Sequence, residues 1–439
     1  MKKPMSKIRL AIILISSSSL LLPTFYLISF LHPFSLCAKP STAATNTTAF
    51  CDTSHERYDT CFLQGDIRII SNASKLLLII SSASPAATPN ATWKIKPFPR
   101  KWEAPVMART KQLSIITSET PAAPCTINHT APAVVFSTGG FSGNFYHDIT
   151  DILIPLYVTS HRFHGDVKFL VSDFNAKFVA KYRPVLARLS GSDVINLDGD
   201  NGVHCFREVH VGLINNKEFG IDTTKPPPGI SMNGFRQFLR SSFSLSRNRV
   251  ARNRGRRKPR LLIQLRKGSR ELVNSREVIS MTKRLGFKVI VAGAEDTKNL
   301  TSFSAAVNSV DALLGVHGAG LSNMVFLPDG AAVVQIIPWG GLKWACRFSF
   351  GDPAAGMGLK YFEYEIKEEE SSLIEQYPRN HSVFTNPAEI HKQGWNMLWY
   401  VFLEKQRVKV DLRRLRAVLA EVLRWIQTGE EKNLHFMIQ

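Results

Sequence analysis

Three places in the sequence combine residue types and spacings suited to chemistry. The first is GVHGAGLSNMVFLPDGAAVVQIIPWG, residues 315–340, where His317 stands among Gly315, Gly318 and Gly320. Glycines let a ligand approach the backbone, and a helix start offers unpaired N–H groups to an anion. His317, Gly318, Ala319, Gly320 and Leu321 could therefore cradle a diphosphate, with His317 donating a hydrogen bond beside them. A tight packing turn is the alternative reading. The second place holds Arg266, Lys267 and Arg270, whose guanidinium groups suit diphosphate oxygens. In the third, GGFSGNFYHD, His147 and Asp148 fall in the first turn of a helix. Either one could take a proton as general base, or both could be solvated helix-start residues.

Two acidic pairs are weaker candidates. Asp198-Gly199-Asp200 is a literal DxD, a pattern that can hold a divalent cation on a nucleotide diphosphate. Followed by Asn201-Gly202 it reads better as a turn. Glu363 and Glu365 alternate along strand-like sequence, where a surface strand is the default and contact with a sugar hydroxyl the alternative. No Cys/His spacing suggests zinc.

The elements that must position these groups alternate. Residues 133–136, 167–171 and 194–197 read as strands, with helices over 144–159 and 178–189. After a basic stretch the pattern restarts: strands over 260–265, 287–291, 312–316 and 331–337, helices over 275–285 and 301–309. Strand–helix–strand alternation predicts parallel βαβ units, whose ligands lie beyond the carboxyl ends of the strands. All three clusters sit at such ends. The expected fold class is therefore α/β, with two doubly wound domains facing across a cleft. The basic stretch, RNRVARNRGRRKPR, holds eight Arg or Lys in residues 247–260 and reads as a solvated linker. A turn at Asn72-Ala73 divides strand material over 67–82, and 411–427 is an amphipathic helix.

The chain has 439 residues, 44% of them hydrophobic, and a net charge of +20. Residues 10–31 carry no charge and follow Lys2, Lys3, Lys7 and Arg9. This predicts a transmembrane signal-anchor with a cytosolic tail over 1–9 and the rest luminal; a cleaved signal peptide is the alternative. Behind an anchor, the basic charge points to nucleotide-sugars, anionic polysaccharides or lipid headgroups rather than nucleic acid. A Ser/Thr/Pro-rich stem covers 32–50. Domains are expected over 51–245 and 260–405, joined by a linker over 246–259 and closed by a C-terminal helical segment, 406–439. Sequons at Asn46, Asn72, Asn90, Asn128, Asn299 and Asn380 fit a luminal chain. So do the five cysteines past the anchor, of which Cys51 and Cys61 can close a short loop. An odd number leaves at least one thiol free or paired between chains.

Taken in order, these segments resemble plant members of glycosyltransferase family 61. The blocks are GGFSGNFYHDITDILIPLYVT, KYRPVLARLS, RQFLRSSFSL, PRLLIQLRKGSRELVN, the 315–340 stretch, ESSLIEQYP and KQGW. The arginine block has Gln264-Leu265-Arg266 where an Ile-Ser-Arg-like end is expected, and the histidine block has Val316 where alanine is commoner. The resemblance implies a single-pass type II Golgi enzyme of the two-domain GT-B kind, inverting, using a UDP-sugar and requiring no metal. It implies transfer of xylose or arabinose to a cell-wall polysaccharide, xylan in preference to an N-glycan core, and a place in Golgi complexes with other glycosyltransferases. On it, the 51–245 domain takes the acceptor, with His147 or Asp148 as base. The 260–405 domain binds the donor through Arg266, Arg270 and residues 317–321. A non-catalytic luminal polysaccharide-binding protein is the reading from a different class.

Overall fold

Among the described residues, fifteen strands form two sheets. The computed structural model describes residues 47–80, 89–121, 123–252 and 257–430. The expected tail, anchor and most of the stem lie outside the described residues, and no described helix is long and apolar enough to cross a membrane.

The first sheet contains β1 (Thr48–Asp52), β2 (Thr60–Ile70), β3 (Lys75–Ile79), β4 (Thr92–Ile95) and β5 (Leu113–Ser118). It continues with β6 (Ile127–Asn128), β7 (Ala133–Ser137), β8 (Lys168–Ser172), β9 (Ile195–Asn196) and β10 (Val203–Val211). The main order is β4-β5-β3-β2-β10-β7-β8-β9. Only part of it is parallel: β10, β7, β8 and β9 run together, while β2 is antiparallel to β1, β3 and β10. The doubly wound expectation is thus corrected for this half, which is a mixed sheet. The reason lies in β2, whose inward residues alternate strictly with more exposed ones. Such a strand is built for an antiparallel meander with one wet face. Strand β1 also takes in the last residues of the segment read as stem.

The second sheet is parallel throughout: β11 (Arg260–Gln264), β12 (Lys288–Ala292), β13 (Ala312–Val316), β14 (Ala332–Ile337) and β15 (Lys360–Glu365), in the order β12-β11-β13-β14-β15. Every residue of β13 and β14 is buried. Central strands covered on both faces need such unbroken apolar runs. Because β12 and β13 flank β11 on opposite sides, the order reverses between β11 and β13, and a crevice opens beyond their carboxyl ends.

Both sheets belong to one compact unit, Asn46–Gln439. The helix Met232–Ser242 joins the halves. Its Arg236 is fully buried, yet donates to the Val325 carbonyl at 3.3 Å and to Asp329 at 2.8 Å, and also to the Leu327 and Met357 carbonyls. The basic stretch, read as solvated, is partly docked. Arg247 donates to the Ser309 carbonyl and pairs with Asp311 at 2.6 Å, and the buried Val250 bonds to the Asp329 carbonyl. The helix Leu412–Thr428, capped by Asp411 and ended by a left-handed Gly429, buries Leu415, Leu419, Val422 and Ile426 in the main core.

Disulfides join Cys51 to Cys61 and Cys125 to Cys205. The remaining described thiol, Cys346, is buried. Asn72, Asn90, Asn128, Asn299 and Asn380 are all exposed, so each described sequon is accessible.

Candidate functional site

At the crevice in the second sheet, the loop after β11 meets the turn after β13. Arg266 and Arg270 leave β11, and His317 to Leu321 leave β13. Gly318, at φ 148°, makes this approach feasible: a Cβ there would stand 2.4 Å from Arg266 Nη1 and 3.3 Å from Arg270 Nη1. Gly320 does the same for Gln264, whose Nε2 would lie 2.8 Å from an added Cβ. Arg270 Nη1 donates to the His317 carbonyl at 3.1 Å, and Arg266 makes only long contacts to Ser269, at 3.3 and 3.4 Å. Neither arginine has a salt-bridge partner among the described residues, and Arg270 Nε is buried with no acceptor. Burial pushes both guanidinium groups below their ordinary range, Arg270 to about 9 with Arg266 adding to the push. A half-buried and a buried guanidinium of like charge, with the exposed Glu404 as the acidic influence on both, form an anion site.

His317 is held as a donor. Tyr361 Oη donates to Gln335 Oε1 at 2.8 Å, so the Gln335 amide N–H points to His317 Nδ1 at 2.7 Å. That leaves the proton on Nε2. Burial, with Arg270 and Arg266 beside it, pushes the imidazole pKa down to about 3. The ring is therefore neutral at physiological pH, an N–H donor and not a cation. The residues after Gly318 form a short 3-10 helix, Ala319–Phe326.

In the first half, β7 leads through Gly139 and Gly140 into a helix capped by Asn144, whose side chain accepts from the Tyr146 N–H. The helix widens to a π turn over Asp148–Leu153. Pro155 follows and lacks the N–H that would continue a regular ladder, and the wider turn absorbs its ring. His147 and Asp148 then diverge. Asp148 points inward, 1% exposed, and accepts from the Gly143 N–H and from Tyr182 Oη, each at 2.8 Å, with Lys181 at 3.4 Å. Burial raises its pKa against these three partners.

His147 stays partly exposed and stacks on Phe141 with ring centroids 4.3 Å apart. Its Nδ1 meets Asp151 Oδ2 at 2.9 Å. A carboxylate can only accept there, so it fixes the tautomer and leaves the Nε2 lone pair outward. Asp151 is fully buried and also accepts from Arg100 Nε at 2.8 Å. Arg100 in turn binds Glu218 at 2.6 Å, which takes Tyr146 Oη at 3.0 Å and Arg57 at 2.6 Å. Sequence reasoning missed Asp151, Arg100 and Glu218. Only the spacing of Asp151, four residues after His147, could have pointed to it.

A cavity of about 310 Å³ lies where the halves meet. Phe145 and Lys181 line it from the first half; Gln264, Arg266, Lys267 and Gly320 line it from the second. Phe350 links the two sides, with its ring 5.6 Å from both Tyr146 and His317. The other candidates lie outside this cluster. Asp198 is held by Lys111 and the Phe174 N–H, and Asp200 accepts from the Gly202 N–H. Glu363 sits on the outermost strand, paired with Arg347 and Lys343, and Glu365 is exposed beside it. Among the described residues no group of three or more His, Cys, Asp or Glu is placed to hold a metal ion.

The sequence profile of the Glycosyltransferase 61 family matches residues 145–334, which contain His147, both arginines and the 317–321 turn. An alpha-1,3-arabinosyltransferase of Oryza sativa subsp. japonica is 43% identical over 375 residues, covering 85% of this chain and 64% of its own length. A beta-1,2-xylosyltransferase of the same plant is 37% identical over 85% of this chain and 83% of its own length. A xylan glycosyltransferase of Arabidopsis thaliana is 34% identical over 87% of this chain and 80% of its own length.

Proposed function

We propose, from the premise that this chain belongs to glycosyltransferase family 61, that it transfers a pentose from a UDP-sugar to xylan. The observation that carries the proposal is the pairing of an anion site, Arg266 and Arg270 with the 317–321 turn, with the partly exposed His147, oriented by the buried Asp151, on the other half. The names of the relatives supply the sugar class: arabinosyl and xylosyl transfer. On this reading the diphosphate lies against Arg266, Arg270 and the His317 Nε2–H. An acceptor hydroxyl attacks the anomeric carbon, its proton passes to His147 Nε2, and the carbon–oxygen bond to the diphosphate breaks. The arginines stabilise the charge that grows on the leaving group. Attack opposite the leaving group inverts the anomeric centre. Asp148 is set aside as base because it faces inward on satisfied partners.

The reading extends to a GT-B arrangement of the two halves, a Golgi membrane location with an N-terminal anchor, glycosylation at the exposed sequons, and catalysis without a metal. Arg266→Ala should weaken UDP binding by more than tenfold, about 1.4 kcal/mol, in calorimetric titration. His147→Ala should keep UDP affinity and lose at least about a hundredfold in turnover. Unchanged UDP affinity in the first variant, or near wild-type turnover in the second, removes the corresponding assignment. A screen of UDP-sugars against xylan and N-glycan acceptors identifies the substrates. The absence of transfer and of donor hydrolysis with every donor favours a binding protein.

A further inference from the structure

We infer that Trp102 is the platform on which a neutral sugar ring of the acceptor chain stacks. The inference rests on the glycosyl-transfer reading for the identity of the sugar, but its geometry stands apart from it. Trp102 is 45% exposed, on a surface turn where Lys101, Ala104 and Pro105 are exposed too. The ring is nonetheless fixed. Arg57 Cζ lies 4.5 Å from its centroid and Arg100 Cζ 5.1 Å. Both guanidinium groups bind Glu218, one at each oxygen, so they lie side by side and back the indole together. Much of the ring is left to solvent.

Arg100 also makes the link to the candidate base. It holds Asp151, which holds His147, and it lies 5.9 Å from the ring of Phe141, which stacks on His147. One guanidinium therefore touches the indole, Phe141 and the carboxylate that orients the imidazole. Through Arg100, the indole is connected to the carboxylate that orients His147.

Chemistry narrows the ligand. The positive charges of Arg57 and Arg100 are met by Glu218, Asp151 and Glu103. The two cations that back the indole are thus neutralised at close range, and Arg109 lies over Phe141 instead. A cation is disfavoured too, because the guanidinium groups already draw on the ring's π density. What remains is an uncharged ligand with an apolar face and a polar rim, which describes a pyranose ring: C–H groups on its faces, hydroxyls around its edge. A β1,4-linked pentose chain presents such rings in series.

The test uses the full-length chain with xylohexaose as probe. Wild type, Trp102→Ala, Trp102→Leu and Trp102→Phe are titrated for xylohexaose binding. Each is also assayed for acceptor KM, UDP affinity and thermal midpoint. The alanine and leucine variants should lose at least tenfold in xylohexaose affinity and gain as much in acceptor KM, with UDP affinity and midpoint unchanged. The phenylalanine variant should recover most of the loss. Leucine keeps apolar bulk without a π face, so it remains informative if alanine perturbs folding. Wild-type affinity in both alanine and leucine variants, or no xylohexaose binding by the wild type, overturns the platform. Transfer with a KM indifferent to Trp102 sinks the platform and leaves the transferase reading intact. Trp102-dependent binding without transfer from any UDP-sugar does the reverse.

Discussion

Asp148 and Asp151 stand three residues apart in one helical run and meet opposite surroundings. Asp148 Oδ1 accepts from the Gly143 N–H and Oδ2 from Tyr182 Oη, with Lys181 at 3.4 Å; an asparagine can keep the first with its amide oxygen and donate its amide N–H to the tyrosine oxygen. Burial raises its pKa, so its ionised form is a cost that the fold bears at neutral pH. Asp148→Asn should therefore fold at least as well and keep turnover within a few-fold of wild type. Asp151 instead accepts from both Arg100 and His147. In Asp151→Asn an amide N–H can turn toward Nδ1, trap the wrong imidazole tautomer and leave Arg100 without its acceptor. Turnover should fall at least about a hundredfold with UDP affinity preserved. Parallel kinetics and UDP titrations on the two variants check the contrast; equal losses would mean the helix, not the tautomer, is what matters. His147 was legible in the sequence because a histidine at a helix start after a strand is a recognisable pattern. Its partner was not, because Asp151 sits within ITDILIP, where a lone acid in an apolar run reads as a solvent-facing break. Tertiary contact with Arg100, 51 residues earlier, gives it its place.

Among the elements, the parallel sheet was the most readable. Strand β13 and the helix Ser275–Leu285 fall where the alternating pattern put them, and β14 differs by one residue. Long buried runs bounded by turn residues leave few alternatives. The mixed sheet was harder. Alternation tells which residues of β2 face inward, but it does not say whether the neighbour is β3, β10 or β1, or in which direction it runs. The π turn was invisible for the same reason: a helical period does not distinguish four from five residues per hydrogen bond over one turn. The Cys51–Cys61 loop was legible, but the partner of Cys125 needed coordinates. Cys125–Cys205 ties the segment before β6 to β10 across 80 residues of chain. Cross-linking so long a loop removes much denatured-state entropy, so Cys125→Ser should cost about 2–5 kcal/mol. Denaturant melts under oxidising conditions measure it, and a loss below about 1 kcal/mol would show that the sheet holds this segment unaided.

For the molecule as a whole, two partly buried neutral histidines add to the loss of stability in acid. His317 has a folded-state pKa of about 3 against an ordinary value of 6.5, and burial lowers that of His210 too. Between those limits the unfolded chain binds protons that the folded chain refuses. Stability present above about pH 6.5 is therefore lost progressively as pH falls toward 3. The raised carboxyl of Asp148 works the other way and softens the loss only at the acid end. Thermal melts from pH 7.5 to 4.5 should show a falling midpoint. Replacing His317 by Gln, which cannot take the proton, should flatten that fall.

The path of the chain near Gln406 has one more consequence. Gln406 is fully buried, its side chain bonds to Trp339 and Phe402, and its carbonyl takes the Arg270 N–H. Val408 then pairs with both Leu272 and Ser371. The loop that carries Arg270 is thus tied down by residues made some 136 positions later. During synthesis the mixed sheet can form while the remainder is still in the ribosome. The loop has to wait for nearly the last of the described chain before it is held, and so the two halves of the crevice mature at different times. A polypeptide interrupted between residues 321 and 406 carries every residue of the anion site without the clasp that sets them.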